Sequence, residues 1–113
     1  MGARVKRIEF YEESSGKSPF REWLKAINDG TTRKRIRSRL DRLADGNPGD
    51  HRVLSSEVCE LRLHFGPGYR LYYNGSGREI VLLLVAGDKS TQSSDIEAAH
   101  RAWRDYRERK DRS

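Results

Sequence analysis

Between Glu57 and Asp95 the chain places guanidinium, imidazole and carboxylate groups on alternating positions of two adjoining extended segments. Reading alternate residues from Val58 to Phe65 puts Cys59, Leu61, Leu63 and Phe65 on one face and Glu60, Arg62 and His64 on the other. After a Gly66-Pro67-Gly68 turn, Tyr69, Leu71 and Tyr73 separate from Arg70, Tyr72 and Asn74 in the same way. One face of such a sheet is dry, and the other offers Arg, His and Tyr to a ligand that is negative and aromatic, which describes RNA. RNA is cut without metal when its 2′-hydroxyl attacks the adjacent phosphate, and three jobs follow: a base, cations for the phosphorane, and an acid for the leaving oxygen. Arg62 and Arg70 suit the second job, because a planar guanidinium holds two phosphate oxygens at once. His64 titrates nearest neutrality and could act as base. Glu60 could take the proton instead, or orient Arg62. Tyr72 projects with Arg70 and could stack on a base. The bland alternatives are a cross-strand ion pair with Glu60, a structural histidine, and plain sheet packing for the tyrosine.

These groups need a scaffold. Val5 to Tyr11 alternates as a first strand, and Ser14 to Ser18 breaks it. Ser18-Pro19 is a helix start, with an oxygen to cap free amides and a proline where no amide is needed. Phe20, Trp23, Leu24 and Ile27 recur at helical spacing, and Asn28-Asp29-Gly30 ends that helix. Thr31 or Thr32 caps a second helix, in which Ile36, Leu40 and Leu43 form a narrow apolar stripe. Val53-Leu54 suggests a short strand before the two half-polar strands, and Gly75-Ser76-Gly77 looks like a second hairpin turn. Ile80 to Ala86 is an unbroken apolar run, which reads as a central strand buried on both faces. The Asp88 to Ser94 connector leads to a last helix with Ile96, Ala99, Trp103 and Tyr106 on one side. Asp88, Ser90 and Gln92 are placed to cap that helix or to touch RNA. The expected fold class is α+β: an N-terminal strand and two helices packed on one face of a mainly antiparallel twisted sheet, then a C-terminal helix. All of 1–113 forms one domain, with a charged, frayed tail over 107–113.

Of the 113 residues, 35% are hydrophobic and 35% charged, and the formal net charge is +6. A core is affordable at this length, and the surplus of cations favours a polyanionic or acidic partner. The charge is concentrated. Arg33, Lys34, Arg35, Arg37, Arg39 and Arg42 face one acid, Asp41, and a second basic cluster follows Arg101. Arg33 and Arg37 are taken as contacts to an RNA backbone, against the plain alternative of a solvated helical face. The single Cys59 lies on the dry face, which suits a reducing cytosol, and no stretch approaches a membrane span or a signal peptide. A soluble, cytoplasmic protein is expected. His51, His64 and His100 are too widely spaced to suggest a metal site, and no cofactor is expected.

Glu60-Leu61-Arg62, Gly68-Tyr69-Arg70-Leu71-Tyr72-Tyr73 and Gly87-Asp88-Lys89-Ser90-Thr91-Gln92, followed by Asp95-Ile96, carry a family resemblance. In order and spacing they resemble the RelE/ParE superfamily of toxins, and within it the HigB-like addiction-module killer proteins; nearly the whole chain fits. The resemblance implies a small RelE/ParE-like cytoplasmic toxin of a type II toxin–antitoxin module. Such a toxin is a metal-independent endoribonuclease (mRNA interferase) that cuts mRNA on the ribosome, inhibits translation and leaves 2′,3′-cyclic phosphate and 5′-hydroxyl ends. It further implies silencing by a cognate antitoxin with a helix-turn-helix DNA-binding domain, and basic helices that meet ribosomal RNA. Lys89 falls where related toxins carry a cation that stabilises the transition state or protonates the leaving group, and Arg62 and Arg70 nearby would lower its pKa. The paired lysines that RelE-type relatives carry near Val58-Cys59-Glu60, and a tyrosine near Asp95, are absent, which leaves the acid and base open. Two other readings stand beside this one: a ParE-like protein that poisons DNA gyrase without chemistry on RNA, and an inactive basic module that grips RNA or an antitoxin.

Overall fold

The computed structural model describes residues 6–75 and 79–112. The expected strand position of Val5 and the turn residues Ser76 and Gly77 lie outside them. In chain order the elements are β1 (Arg7–Phe10), α1 (Pro19–Lys25), α2 (Gly30–Ala44), β2 (His51–Val53), β3 (Cys59–Arg62), β4 (Tyr69–Asn74) and β5 (Ile80–Asp88). A single 3-10 turn (Lys89–Thr91) then leads into α3 (Gln92–Arg112).

The strands form one sheet in the order β1-β5-β4-β3-β2. Three ladders are antiparallel, whereas β1 runs parallel to β5, so the sheet is mixed. Apolar alternation fixes the register, because a slip of one residue would turn every inward side chain to the other face. Leu61, Leu63, Leu71, Tyr73, Val81 and Leu83 pack on one side with Phe20 and Leu24 of α1 and with Ile36, Leu40 and Leu43 of α2. The dry face expected from Cys59, Leu61, Leu63 and Phe65 is this layer. Central β5 is buried on both sides, as its apolar run requires, with Leu82, Leu84 and Val85 turned to the opposite face. A register shift opposite Tyr72 and Tyr73 pairs them with Val85 and Leu83, leaving Leu84 as the extra residue of a bulge.

The two N-terminal helices share one face, as expected, and the C-terminal helix takes the other. Ala99 and Ala102 of α3 pack on the reverse face against Tyr11, Val58, Tyr72, Leu82, Leu84 and Val85, so the sheet lies between two helical layers. Small alanines let α3 approach closely: Ala99 belongs to the apolar side expected of this helix, and Ala102 extends it. α3 runs to Arg112, through the described part of the stretch expected as a charged tail. Arg109 donates to Asp105 Oδ2 one turn back, at 2.8 Å, and to the carbonyl of Glu12, while basic side chains in the last turn suit the helix dipole.

Caps follow the sequence with one exception. Ser18 Oγ accepts from Arg21 N and Pro19 opens α1. The cap of α2 is Asp29 rather than Thr31 or Thr32; its carboxylate accepts from Thr31 N at 3.1 Å and from the Thr32 hydroxyl at 2.8 Å. An ionised carboxylate outcompetes a hydroxyl for the free amides at this end.

Candidate functional site

Strand pairing sets Arg62 of β3 directly opposite Arg70 of β4. Beside them the turn at Gly68, with φ of +78°, does two things. Its carbonyl accepts from Arg70 Nη1 at 3.3 Å and from the Lys89 amide at 3.1 Å, tying the start of β4 to the end of β5. Its missing side chain leaves room for Lys89, whose methylenes would lie 3.1 to 3.2 Å from a Cβ at that point. Arg62, Arg70 and Lys89 are thereby brought to one end of the sheet. Arg70 is only 3% exposed, and Tyr69 O is a second acceptor for its Nη1 at 3.1 Å. Arg62 is more open and Lys89 is exposed.

The polar face read from Glu60 and Tyr72 is not open. Both are fully buried beneath the N-terminal part of α3. Glu60 Oε2 accepts from the Tyr72 hydroxyl at 3.0 Å and from Gln92 Nε2 at 2.8 Å, and Glu60 Oε1 lies 3.8 Å from Arg62 Nε. Glu60 is therefore placed to orient Arg62 and not to take a proton from a substrate. Tyr72 has no free ring face for a base; burial and then the Glu60 hydrogen bond push its pKa up, so its hydroxyl stays a donor. Gln92, read as a cap or RNA contact, instead fastens the first residue of α3 to β3. Alternation alone could not reveal this, because the lid comes from a helix that begins 32 residues on.

His64 lies beyond the end of β3, off the sheet ladder. Its Nε2 pairs with Asp50 Oδ2, and that hydrogen bond is the main reason the Asp50 carboxyl is held below its ordinary range. Only Nδ1 is left to accept a proton. Ser90 is exposed and its hydroxyl donates to Asp88 Oδ1 at 2.5 Å, while Asp88 also accepts from Ser90 N at 2.8 Å, so Asp88 is the cap of the 3-10 turn.

The Gly87-Asp88-Lys89 string has a steric reason. A Cβ on Gly87 would collide with the Asp95 carboxylate and the Thr91 hydroxyl, so only glycine lets α3 start this close to β5. Thr91 Oγ1 donates to Asp95 Oδ2 at 2.5 Å. Burial pushes the Asp95 carboxyl up despite that bond. Sequence reading passed over Asp95 as a site residue, and the glycine eight positions earlier was its signal.

Arg33 and Arg37 are not brought to this cluster. They line a groove of about 510 Å³ with Phe10, Arg21, Leu24 and Leu40, between α1 and α2. The cations of α2 that turn toward the β3–β4 turn are Arg35, Arg39 and Arg42, and Arg39 Nη1 donates to the carbonyl of Arg62 at 3.1 Å. Among the described residues no group of three His, Cys, Asp or Glu side chains is placed to hold a metal, and no helix is long and apolar enough to cross a membrane.

A mixed five-stranded sheet between helices, with three cations gathered at one end of it, defines a small α+β domain with a cationic end. No family model matches the chain. A Haemophilus influenzae (strain Rd) protein described as uncharacterized is 39% identical over 80 residues, covering 71% of this chain and 81% of that protein. The chain belongs to the same family as that protein.

Proposed function

We propose that the chain is a RelE/ParE-like toxin of the HigB-like branch, a ribosome-dependent endoribonuclease silenced by a helix-turn-helix antitoxin. The observation that carries this reading is the convergence of Arg62, Arg70 and Lys89 through the β3–β4 register and the Gly68 carbonyl. In the proposed reaction the 2′-oxygen of one nucleotide bonds to the adjacent phosphorus as the bond from phosphorus to the 5′-oxygen breaks. The 2′-hydroxyl proton passes to a base, and the departing oxygen takes one from an acid. Arg62 meets the phosphate oxygens, Arg70 supplies a fixed charge from behind, and Lys89 serves the leaving oxygen. Asp95, beside the Gly87 turn, takes the first proton, and His64, turned to the α2 side and paired with Asp50, is left out of the reaction. Glu60 holds Arg62 in place.

The reading is tested with purified chain, translating ribosomes and a defined mRNA. Cleavage in the ribosome-bound message, with 5′-hydroxyl ends, supports it; an intact message sinks it.

A second reading is favoured by one observation: Glu60, Arg70 and Tyr72 are buried. A basic module that binds RNA or an antitoxin without cutting needs none of them exposed. It is selected if RNA binds and no product forms. The gyrase reading has no comparable support in the site, and DNA damage with translation intact after induction is the response that would select it.

A further inference from the structure

On the far side of the β3–β4 turn from Glu60, a pocket of about 370 Å³ is lined by Arg35, Ser38, Arg39 and Arg42 of α2 and by His64 and Phe65. None of these is an acid. The central carbon of the Arg35 guanidinium lies over the Phe65 ring, 3.8 Å from its centre, a cation–π contact that holds the group at the pocket. Arg39 forms the wall, with Nη1 on the Arg62 carbonyl and Nη2 on the Pro48 carbonyl at 2.9 Å. Arg42 is exposed and has no carboxylate within ion-pair distance among the described residues. The nearby acid, Asp50, is committed to His64.

We infer that this pocket is a phosphate-anchoring site for single-stranded RNA, holding a backbone phosphate that flanks the one at Arg62 and Lys89. The inference rests on the proposal that the chain binds RNA. Two features favour a phosphodiester over an acidic protein segment. Guanidinium groups present the flat, two-pronged edge that matches phosphate oxygens, and Arg35, Arg39 and Arg42 all line this pocket. The floor, Phe65, is already covered by Arg35, so little apolar surface is offered to a peptide side chain, in contrast to the groove floored by Phe10, Leu24 and Leu40. Arg39 joins the pocket to the Arg62 carbonyl, which sets the pocket beside the end of β3.

The test uses the full chain, a labelled single-stranded RNA of about twelve nucleotides, and the double variant Arg35→Gln/Arg42→Gln, with Arg101→Gln/Arg104→Gln as an equal loss of charge on α3. Affinity for the RNA should fall about tenfold in the first variant and much less in the second, and the dependence of log affinity on log salt should flatten by about one in the first. Equal losses in the two variants, or polyglutamate binding as tightly with the same dependence on Arg35 and Arg42, overturns the inference. So does failure of the unaltered chain to bind RNA at low salt. Cleavage on ribosomes is read separately: binding that depends on Arg35 and Arg42 with no cleavage leaves the anchor standing and removes the nuclease, whereas cleavage with binding indifferent to both residues does the reverse.

Discussion

Arg62 and Arg70 stand directly opposite each other across the β3–β4 ladder, a position at which like charges repel. The structure offsets this with Glu60 Oε1 at 3.8 Å from Arg62 Nε and with two carbonyls on Arg70. The two arginines differ in what they tolerate. Arg70→Ala empties a buried polar site and should cost about 2–4 kcal/mol in urea unfolding, so its loss of activity would be confounded with loss of fold. Arg62 is partly open, and Arg62→Gln should cost no more than about 1–2 kcal/mol while removing growth arrest. An Arg62→Gln protein that keeps its stability and its toxicity would exclude Arg62 from the site.

Glu60 should behave as a buried anchor. Glu60→Ala strips the acceptor from Tyr72 and Gln92 together and leaves Arg62 without its counter-charge, at a cost of about 3–5 kcal/mol. Glu60→Gln keeps the shape and one acceptor oxygen and should cost about 1–2 kcal/mol less than that. If Glu60 were the base, Glu60→Gln would abolish cleavage outright; a positioning role predicts partial activity, with weakened RNA binding as the main defect.

Gly87→Ala drives a methyl group into Asp95 and Thr91. The start of α3 must move, at a cost of about 1–3 kcal/mol, and chemical denaturation would show it. A Gly87→Ala protein of unaltered stability would mean that α3 does not sit this close to β5.

Asp95 sets a dependence on pH. Its folded pKa is raised by burial, so its contribution to stability is full below its ordinary value and is lost as pH rises through the raised one. Removing the charge should therefore help above that range: Asp95→Asn should raise Tm at neutral pH and erase part of the decline in stability above about pH 4. A variant whose stability tracks the unaltered chain at every pH contradicts this.

Much of the scaffold was legible from periodicity: the Cys59 to Phe65 dry face, the two-sided burial of β5, the Ser18 cap and the Ile36, Leu40 and Leu43 stripe all reflect local rules. The parallel pairing of β1 with β5 was not, because nothing in four residues at the start states which strand they will join. The closed polar face was missed for a related reason. Arg62, Glu60 and Tyr72 alternate as a wet face should, yet α3 covers the last two through Ala99, Ala102 and Gln92, an arrangement set by tertiary packing. Within the candidate site, the proximity of Arg62 and Arg70 followed from reading the hairpin, whereas the pairing of His64 with Asp50 and the role of Gly87 needed coordinates.

Lys89 is the residue on which the nuclease proposal is most cleanly tested, since its side chain is exposed and makes no ion pair among the described residues. Lys89→Ala should leave stability within about 0.5 kcal/mol of the unaltered chain. The 5′ ends of cellular messenger RNA should be mapped shortly after brief induction of the two proteins. The proposal predicts new ends in register with codons for the unaltered chain and none for Lys89→Ala. Growth arrest without new ends would contradict it, and ends that persist undiminished in Lys89→Ala would remove Lys89 from the site.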